Sequence, residues 1–453
     1  MSLYGKAHAR TGTTGLPKGV LREAAGHAVG LHLSMHQLFD LQRGEVIFCA
    51  SDIGWVVGHS YILYGPLLVG ATTVLFEGKP VGTPDASTFW RIVEEHRVNV
   101  LFTAPTALRA IRRDDPANTH FETVARRNHH TGLRSLRALF LAGERSEPSI
   151  VSTFQALLAA HAAPNATVVD NWWSSESGSP MTGLALNSTI VRHRDQHHQR
   201  VPAPRMKPGS AGLPLPGFDI RIVDDEGHPQ EANTMGNIVL GLPLAPTAFT
   251  RLFGDAHHAR FYKSYLARFH GRWFDTGDAG LVDPDGYVHV MARSDDIINV
   301  AAHRFSTGAI EQVLLSHGQV AEAVVVGVPD ALKGHLPFAF IAPASAGSAS
   351  ASKTHDLHAQ LNDRVRSQIG AIASLGGIIE AVGIIPKTRS GKTLRRVLRE
   401  LVENGARGHF DAPVNVPPTV EDLQAVERAR GQVREYFTTT RPQTGGNRMK
   451  AKL

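Results

Sequence analysis

The sequence predicts an α/β fold in which a large domain with a parallel β-sheet precedes a smaller α+β domain. Three observations lead to this prediction. In the first two thirds of the 453 residues, continuous apolar runs alternate with helical stretches, a pattern typical of parallel strands covered on both faces. From Gly209 onward the runs are separated by tight turns, which indicates antiparallel strands. After Arg293 the pattern changes again, which predicts a second domain.

Five apolar runs are the predicted strands of the parallel sheet. They are Val46–Ala50, Thr72–Phe76, Val98–Thr103, Leu136–Ala142 and Thr167–Asp170. Parallel sheets bind ligands at the carboxyl ends of their strands, where turns lead into helices. Two polar clusters follow such runs, namely Gly143-Glu144-Arg145 and Asp170-Asn171-Trp172-Trp173. We therefore expect a ligand site at this edge of the sheet.

The antiparallel part begins with a predicted strand at Phe218–Val223 and a turn at Asp224–Gly227. A further strand is predicted at Gly236–Gly241. The segment Trp273–Asp278 (WFDTGD) is predicted to end a strand just before a hairpin. The hairpin turn is predicted at residues 283–286, where proline and glycine occupy positions that such a turn favours.

The segment after Arg293 predicts a separate small domain. Its predicted elements are an amphipathic helix at Thr307–His317, strands at Ala323–Gly327 and Phe338–Ala342, and a flexible Ala/Ser/Gly loop at Ala344–Ser352. We place the boundary at Ser294–Asp296. The predicted division is 1–294, 295–410, and a helical then disordered basic tail over 411–453.

Composition and charge exclude several classes of protein. No apolar run is long enough to cross a membrane, and Met1–Arg10 is too short and polar for a signal peptide. The single cysteine, Cys49, excludes an internal disulfide and a zinc site built from cysteines, and it suits a reducing compartment. The net charge of +6 comes entirely from residues 1–10 and 441–453, which contain no acidic residue. We therefore expect no nucleic-acid partner and no membrane insertion.

A Gly/Thr-rich segment near the start predicts a phosphate-binding loop. Glycines let the backbone approach an anion closely, and threonine hydroxyls and a lysine add donors and positive charge. The segment is not a GxxxxGK[ST] P-loop, because the first glycine is missing, and such a turn taken alone is more often only a turn. The candidate phosphate ligands are Thr11, Gly12, Thr13, Thr14, Gly15 and Lys18.

Two acidic residues are candidates for ribose and metal binding. Asp278 can accept both hydroxyls of a ribose, although an aspartate that caps a turn explains the residue equally well. The segment DNWWSSESG combines two tryptophans with hydroxyls and Glu176, an oxygen-only environment that suits magnesium. Adjacent tryptophans in a strand point to opposite faces, so one of them has to face something other than the main core.

Three basic residues lie in the second part of the chain. Arg293 and Arg304 flank the domain junction and can form bidentate contacts with phosphate, with surface salt bridges as the alternative. Lys392 ends the PKTRSGK segment, which by itself is only an exposed basic loop.

Taken together, these segments resemble one family. The motifs are, in order, TGTTGLPKG, GWVVGHSY (Gly54–Tyr61), TAPTALRAI (Thr103–Ile111), AGER, DNWWSSESG, WFDTGD, MARSDDIINVAAHR (Met291–Arg304) and PKTRSGK. They resemble the adenylate-forming acyl-CoA synthetases, and most of all the short-chain acetyl-/propionyl-CoA synthetase branch. The resemblance extends from Thr11 to Arg396, in the order and spacing of that family.

The resemblance implies two half-reactions. A carboxylate attacks the α-phosphate of ATP to give an acyl-adenylate and pyrophosphate, and the thiol of CoA then displaces AMP. It also implies that Lys392 bridges carboxylate and phosphate, that Glu176 binds Mg²⁺ and that Asp278 binds the ribose hydroxyls. The other ATP/AMP ligands that it implies are Thr11, Gly12, Thr13, Thr14, Gly15, Lys18, Gly143, Glu144, Arg145, Asp170, Asn171, Trp172, Trp173, Ser174, Ser175, Arg293 and Arg304.

The resemblance further implies an acyl pocket formed by Trp55, Val57 and Trp173. The Trp173 side chain fills the space that a longer acyl chain would need, so only a short acid fits. Val57 resembles the propionyl-type pattern, since the acetyl-type pattern has Thr there. This favours propionate over acetate, although one methylene is worth only about 1–3 kcal/mol.

The remaining implied roles concern CoA and domain motion. Asp295 corresponds to the hinge about which the small domain turns between adenylating and thioesterifying poses. Ala301 and Ala302 line the CoA channel, where many acetyl-type members have Gly in place of Ala302. Arg366 corresponds to an arginine that contacts a CoA phosphate.

The family also has a long segment before its phosphate loop, whereas Met1–Arg10 is polar and basic and unlike the apolar strand expected there. We therefore expect an N-terminally truncated chain with an incomplete adenylation domain over 1–294, comprising parallel sheets and a small β-barrel-like part, and a mobile α+β domain over 295–410. Two alternatives remain. One is a non-catalytic remnant that at most binds nucleotide, and the other is an adenylating enzyme that passes its acyl group to an acceptor other than CoA. The expected compartment is the cytosol or the mitochondrial matrix.

Overall fold

The computed structural model describes residues 8–10, 18–127, 132–187, 205–300, 303–330, 332–344, 351–388, 393–418 and 420–440. The chain divides into two compact units, Met1–Met291 and Ala292–Leu453. Each unit has its own sheets and its own hydrophobic core, and each is described by itself below.

The strands and helices up to Arg293 are as follows. The strands are β1 (His8–Arg10), β2 (Lys18–Leu21), β3 (Val46–Cys49), β4 (Thr72–Thr73), β5 (Val100–Thr103), β6 (Ala138–Leu141), β7 (Thr167–Asp170), β8 (Thr182–Gly183), β9 (Leu213–Pro214), β10 (Ile220–Val223), β11 (Gly236–Leu240), β12 (Arg251–Leu252), β13 (Phe274–Val282) and β14 (Val288–Arg293). The helices are α1 (Ala24–Leu33), α2 (Val56–Gly58), α3 (Gly65–Leu68), α4 (Thr88–Glu95), α5 (Pro105–Asp114), α6 (Thr119–Ala125), α7 (Pro148–His161) and α8 (Ala259–Phe261). π-Helical turns occupy Ser34–Leu38, His59–Tyr64 and Tyr262–Leu266, and a 3₁₀ turn occupies Ala267–Phe269.

The central sheet of the first unit contains β4, β3, β5, β6 and β7 in that spatial order, and every pair is parallel. All five runs predicted as parallel strands lie in this sheet, so the prediction of an α/β fold is confirmed. The edge strand β4 is shorter than the predicted Thr72–Phe76, since it comprises Thr72 and Thr73 alone.

These strands are continuous apolar runs because the sheet is buried on both faces. Leu101 and Leu139 point into one hydrophobic cluster, while Phe102 and Phe140 point into the other. Helices α4 to α7 pack on the first face, and α1 with the π-helical turn Ser34–Leu38 packs on the second. The fold therefore leaves the carboxyl edge of the sheet as the place where polar side chains can gather.

The second sheet of the first unit contains β10, β11, β13 and β14 in that order. The prediction that Trp273–Asp278 ends a strand is wrong, because β13 continues to Val282. The register of the β11–β13 pairing shifts at this motif, so that Thr276 and Gly277 form a bulge. Gly277 has φ of +70°, in the left-handed region that favours glycine. A Thr-Gly pair that looks like a turn in the sequence is here an interruption within a long strand.

The second unit is an α+β arrangement. Its elements are a 3₁₀ turn at Ser294–Asp296, β15 (Ile297–Val300), β16 (His303–Ser306), α9 (Thr307–Leu315), β17 (Val320–Asp330), β18 (Gly334–Pro343), α10 (Ala351–Gln368), a 3₁₀ turn at Ala371–Ala373, β19 (Gly377–Glu380), α11 (Arg395–Ala406) and α12 (Leu423–Thr440). The sheet order is β16, β15, β18, β17, with β19 parallel to β18 on its other side.

Helices cover both faces of this smaller sheet. Helices α9 and α10 pack on one face, and α11 and α12 pack on the other. Val426 and Val433 of α12 are buried in the core, so this helix is an integral part of the second unit. Of the predicted loop Ala344–Ser352, residues 345–350 lie outside the described residues, and α10 already begins at Ala351.

Candidate active site

Polar segments follow two adjacent parallel strands at the carboxyl edge of the central sheet. Gly143-Glu144-Arg145 begins one residue after the end of β6, and Asp170 to Trp173 comes at the end of β7. The backbone N–H and the side-chain amide of Asn171 both donate to the Leu141 carbonyl, at 2.9 and 3.0 Å. These two hydrogen bonds fix the β7 segment against the end of β6, so the two predicted nucleotide-binding segments are neighbours.

Several buried polar atoms at this edge have no hydrogen-bond partner within the described residues. They are Thr103 Oγ1 at the end of β5, Nε and Nη1 of Arg145, and Oδ1 of Asn171. An unsatisfied buried polar group costs about 1–3 kcal/mol, so native structures pair nearly all of them with protein, water or ligand. Donors and acceptors of both kinds lie on three neighbouring strand ends. This combination is typical of a site that binds a polar heterocycle or a phosphate ester.

Arg109 links α5, the helix after β5, to the segment after β6, and it was not among the predicted site residues. Its Nη1 donates to both carboxylate oxygens of Glu147, at 2.8 and 2.9 Å, and its Nη2 pairs with the Glu144 carboxylate. Bidentate pairing gives the contact directional strength as well as charge. The signal in the sequence was an arginine inside TAPTALRAI, one helical turn after a strand end, facing the two acids of AGERSE.

Asp170 is the acidic residue of this edge with the most perturbed ionisation. Burial raises the pKa of the Asp170 carboxyl to about 7, although the neighbouring Ser146 and the charge of Arg145 favour the ionised form. Desolvation penalises the charged carboxylate more than these neighbours stabilise it. Near neutral pH this carboxyl therefore exchanges a proton and can act as a hydrogen-bond donor or acceptor.

The pKa of Asp170 predicts a pH dependence of stability. An unfolded Asp ionises near 3.8, whereas folded Asp170 keeps its proton until about pH 7, so the folded state binds more protons between these values. The contribution of Asp170 to the free energy of unfolding therefore falls as pH rises from about 4 to about 7. In urea unfolding, the free energy of unfolding of Asp170→Asn should therefore rise relative to that of the wild type between pH 4 and pH 7. A difference that stays constant with pH would contradict the assignment.

The ribose candidate Asp278 is joined to a tryptophan from a distant part of the chain. The indole Nε1 of Trp172 donates to Asp278 Oδ2 at 3.0 Å, and both residues are buried. The bulge in β13 places Asp278 here, since Thr276 Oγ1 accepts from the Asp278 N–H and donates to the Ile238 carbonyl. The bulge thus orients the Asp278 carboxylate towards Trp172, in the segment that follows β7.

The two adjacent tryptophans point into different cores, as predicted. Trp172 packs with the cluster of the antiparallel sheets, whereas Trp173 packs against the cluster on one face of the parallel sheet. Val57 borders the same cluster as Trp173, so two of the three predicted acyl-pocket residues lie on one apolar surface. The third, Trp55, precedes α2 and its side chain is 42% exposed.

The predicted magnesium ligand Glu176 is buried beside a cation. Tyr265 donates its hydroxyl to Glu176 Oε1 at 3.0 Å. Burial lowers the pKa of the nearby Arg22 guanidinium to about 10, although the charge of Glu176 favours its protonated form. Nη1 and Nη2 of Arg22 have no partner within the described residues, while its Nε donates to the Thr247 carbonyl at 3.2 Å. Neither Arg22 nor Tyr265 was predicted, and an arginine at the end of the apolar strand KGVL was the available signal.

The donor set around Glu176 fits magnesium in kind. A single carboxylate next to the serine-rich segment of Ser174 and Ser175 offers hard oxygen ligands. Among the residues that the structure describes, no three His, Cys, Asp or Glu side chains cluster as a metal site would require. Such a site suits an ion that substrate phosphates hold for the most part, rather than an all-protein cage.

In the second unit, Arg293 is exposed at the end of β14, and Asp295 lies in the 3₁₀ turn that follows. Arg304 pairs with Asn299 in the β15–β16 ladder, and Arg366 is exposed near the end of α10. A further contact was not predicted from the sequence. Arg399 Nη2 of α11 donates to Asp296 Oδ1 at 2.6 Å, next to the predicted hinge residue.

Part of the predicted site lies outside the described residues. This part comprises Thr11, Gly12, Thr13, Thr14, Gly15, Ala301, Ala302 and Lys392. Lys18 begins β2, which pairs with β1 and β12, so the chain that follows the predicted phosphate loop runs into a sheet of the first unit. The roles of these residues remain predictions.

Comparison with protein families gives the class of protein. A model of the AMP-binding enzyme family matches residues 11–245, and a model of the AMP-binding enzyme C-terminal domain matches residues 309–392. The chain therefore belongs to the AMP-binding enzyme family. The first match covers the central sheet with its carboxyl-edge segments, and the second covers about half of the second unit.

Individual relatives narrow the class. The chain is 44% identical over 412 residues to the human protein named acyl-CoA synthetase short-chain family member 3, mitochondrial, covering 91% of this chain and 54% of the relative. It is 38% identical over 427 residues to propionate–CoA ligase of Salmonella typhimurium, covering 94% of this chain and 62% of the relative. The resemblance to short-chain acyl-CoA synthetases is confirmed. The chain spans between about half and two thirds of the length of these relatives.

A solved structure supports the fold. Acetoacetyl-CoA synthetase from Streptomyces lividans superposes with a TM-score of 0.76 at 21% identity, covering 95% of this chain and 59% of that one. At this identity the similarity concerns the fold alone. Among the described helices, none is long and apolar enough to cross a membrane.

Proposed function

We propose that this chain carries the site of an AMP-forming ligase that joins a short carboxylic acid, propionate in the first place, to CoA through an acyl-adenylate. The observation that carries the proposal is the gathering of Asn171, Trp172 and Asp278 with the Gly143–Arg145 segment, where several buried polar atoms have no partner in the described part of the chain. The names of the relatives, which include a propionate–CoA ligase, support the same reaction.

The proposed binding of nucleotide follows from these side chains. The adenine lies against the edge formed by the β6 and β7 segments, where both donors and acceptors are available. The ribose hydroxyls donate to the carboxylate of Asp278, which the indole of Trp172 orients. A carboxylate held by a buried donor keeps its position when the ligand arrives, so little ordering is required.

The phosphates are proposed to lie at the Gly/Thr loop, with Lys18 and Lys392 as their cations. Glu176 would hold Mg²⁺, which would neutralise charge on the phosphate oxygens when bound. The acid is oriented against the apolar surface of Val57 and Trp173, with its carboxylate towards the α-phosphate. Attack by a carboxylate oxygen releases pyrophosphate, and the CoA thiolate then displaces AMP from the acyl carbon.

The acyl surface favours propionate for a reason of size. Val57 and Trp173 both pack against the same hydrophobic cluster. The Trp173 indole is proposed to occupy the space that a longer acyl chain would need. One methylene is worth about 1–3 kcal/mol in such a pocket, so we expect preference rather than exclusivity. We place the reaction in the cytosol or the mitochondrial matrix, where ATP, CoA and reduced thiols coexist.

The experiment uses propionate labelled with ¹⁸O in its carboxylate, incubated with ATP, CoA and the protein. Attack of that carboxylate on the α-phosphate transfers one ¹⁸O to AMP, so AMP gains 2 mass units while propionyl-CoA forms. Label in orthophosphate instead of AMP would contradict the adenylate. Labelled AMP that forms without a CoA thioester would indicate another acyl acceptor, and the absence of both products would favour a remnant that binds nucleotide only.

A further inference from the structure

Two π-helical turns border the second face of the central sheet, at Ser34–Leu38 and His59–Tyr64. π-Helical turns are rare because their hydrogen-bond geometry is poorer than that of an α-helix, and they are frequent at functional sites. The function proposed above uses neither turn. Both turns nevertheless contribute to the hydrophobic cluster that contains Trp173.

A buried hydrogen bond joins the two turns. The Tyr61 hydroxyl and Ser34 Oγ are 2.9 Å apart, and both residues are buried. Ser34 Oγ donates its one hydrogen to the Leu31 carbonyl, also at 2.9 Å. The Tyr61 hydroxyl is therefore the donor in the shared bond. Two consecutive hydrogen bonds therefore connect the Tyr61 hydroxyl, through Ser34, to the backbone of α1.

The ring of Tyr61 is held on several sides. Its centroid lies 5.0 Å from that of Phe39 and 5.8 Å from that of Phe102. On a further side it meets Trp173 edge to face, with centroids 5.4 Å apart and an interplanar angle of 77°. Edge-to-face contacts have a preferred geometry, so a fixed Tyr61 ring also fixes the plane of Trp173.

We propose that Tyr61, anchored by Ser34, is a positioning residue that sets the length of acyl chain this site accepts. It acts through Trp173, whose indole is the end wall of the proposed acyl pocket. The proposal rests on the proposed function for its substrate. The anchored ring prevents the indole from tilting away, so a longer chain meets a rigid wall.

Removal of this support has a defined consequence. Tyr61→Leu removes the edge-to-face contact with Trp173 and leaves space into which the Trp173 indole can move, so the proposed acyl pocket becomes longer. An acid with one additional methylene can then bury that methylene in the pocket, which it cannot do in the wild type. One buried methylene corresponds to about 10-fold or more in kcat/KM. Tyr61→Phe and Ser34→Ala keep the ring and lose only the anchor, so their effect should be smaller and in the same direction.

The experiment measures acid-dependent ATP–pyrophosphate exchange with acetate, propionate, butyrate and valerate. For Tyr61→Leu we expect the ratio of kcat/KM for butyrate over propionate to rise about 10-fold, through KM for the acid, with KM for ATP unchanged. For Tyr61→Phe and Ser34→Ala we expect a rise of about 2- to 3-fold. A lowered kcat with an unchanged ratio would be a structural effect alone and would overturn the proposal.

The matched control is Phe48→Leu, which removes a buried aromatic ring from the opposite face of the same sheet. Phe48 packs edge to face on Phe89, with centroids 5.4 Å apart, and lies in the other cluster. This variant should lose thermal stability as Tyr61→Leu does, but its acid preference should equal that of the wild type. A shift of preference in Phe48→Leu would attribute the effect to general loosening of the sheet and would count against Tyr61.

A binding measurement separates failure of this proposal from failure of the proposed function. The propyl and butyl esters of AMP are unreactive probes of the same pocket, and their affinities are read from the ligand-dependent rise in melting temperature. If the wild type catalyses no exchange yet binds these esters with a Tyr61-dependent ratio, the ligase function fails and the positioning role stands. If it binds both esters and Tyr61→Leu leaves their ratio unchanged, the positioning role fails. If it binds neither ester, both proposals fail.

Discussion

Lys392→Ala should abolish adenylation while sparing the second half-reaction. Charge builds on the phosphate oxygens as the carboxylate attacks, and the Lys392 ammonium is proposed to neutralise it. Removal of one group that stabilises such charge costs about 10²- to 10³-fold in rate. We expect acid-dependent ATP–pyrophosphate exchange to fall by at least this factor. Formation of propionyl-CoA from supplied propionyl-AMP should stay near the wild-type rate, since that step needs no charge neutralisation at pyrophosphate.

The same motif offers a matched control for this variant. Lys387 Nζ forms a salt bridge with Glu322 Oε2 at 2.7 Å, so its charge is already engaged within the second unit. Lys387→Ala removes an equal charge from PKTRSGK and should leave both half-reactions within about 3-fold, because a partly exposed ion pair contributes about 1 kcal/mol or less. If the two variants lose exchange equally, the assignment of Lys392 is wrong.

Asp278→Ala should weaken ATP binding and leave KM for propionate unchanged. The carboxylate is proposed to accept two ribose hydroxyls, and a hydrogen bond to a charged group is worth about 1.5–3 kcal/mol. Loss of the carboxylate should lower kcat/KM for ATP about 100-fold or more, chiefly through KM. Asp278→Asn keeps an oxygen that can accept from Trp172 Nε1, so it should retain the fold of the site and lose the charge alone. Initial rates at varied ATP and at varied propionate separate the two effects.

Asp283 is the matched control for Asp278, since both are buried aspartates near the second sheet. Asp283 accepts from Lys207 Nζ at 2.5 Å and contacts His289 Nε2 at 3.0 Å, which together with backbone donors holds its pKa at about 2 despite desolvation. Asp283→Asn should lower the free energy of unfolding throughout pH 5–8, because the Asp283 carboxyl of the wild type is fully ionised in this range. KM for ATP should not change. A rise in KM equal to that of Asp278→Ala would indicate general disruption of the sheet.

The parallel sheet was predictable from the sequence because both of its faces are buried. Such strands are apolar at successive positions, and the run that contains Leu139 and Phe140 places these neighbours in the two opposite clusters. Position in a sheet also made the carboxyl-edge site predictable, since parallel strands place their following turns on one side.

Other features were not predictable, because they depend on pairings between distant residues. The bulge in β13 depends on the register with β11, and Thr276-Gly277 alone indicates a turn. The contact of Tyr265 with Glu176 joins residues 89 positions apart. Arg22 lies in a segment whose sequence predicts only a strand end, and its burial beside Glu176 arises from tertiary packing. Local patterns carry no information on such partners.

The side-chain links along the carboxyl edge have a thermodynamic consequence. Arg109 connects the end of the β5 region to Glu144 and Glu147, and Asn171 connects the β7 segment to Leu141. The ends of three neighbouring strands are thus joined by hydrogen bonds before any ligand arrives. Ordering a side chain on binding costs about 0.5–1.5 kcal/mol of conformational entropy, and side chains that are already ordered in the folded protein do not incur this cost again. A nucleotide that binds at this edge, as proposed above, would therefore require little further ordering of these side chains.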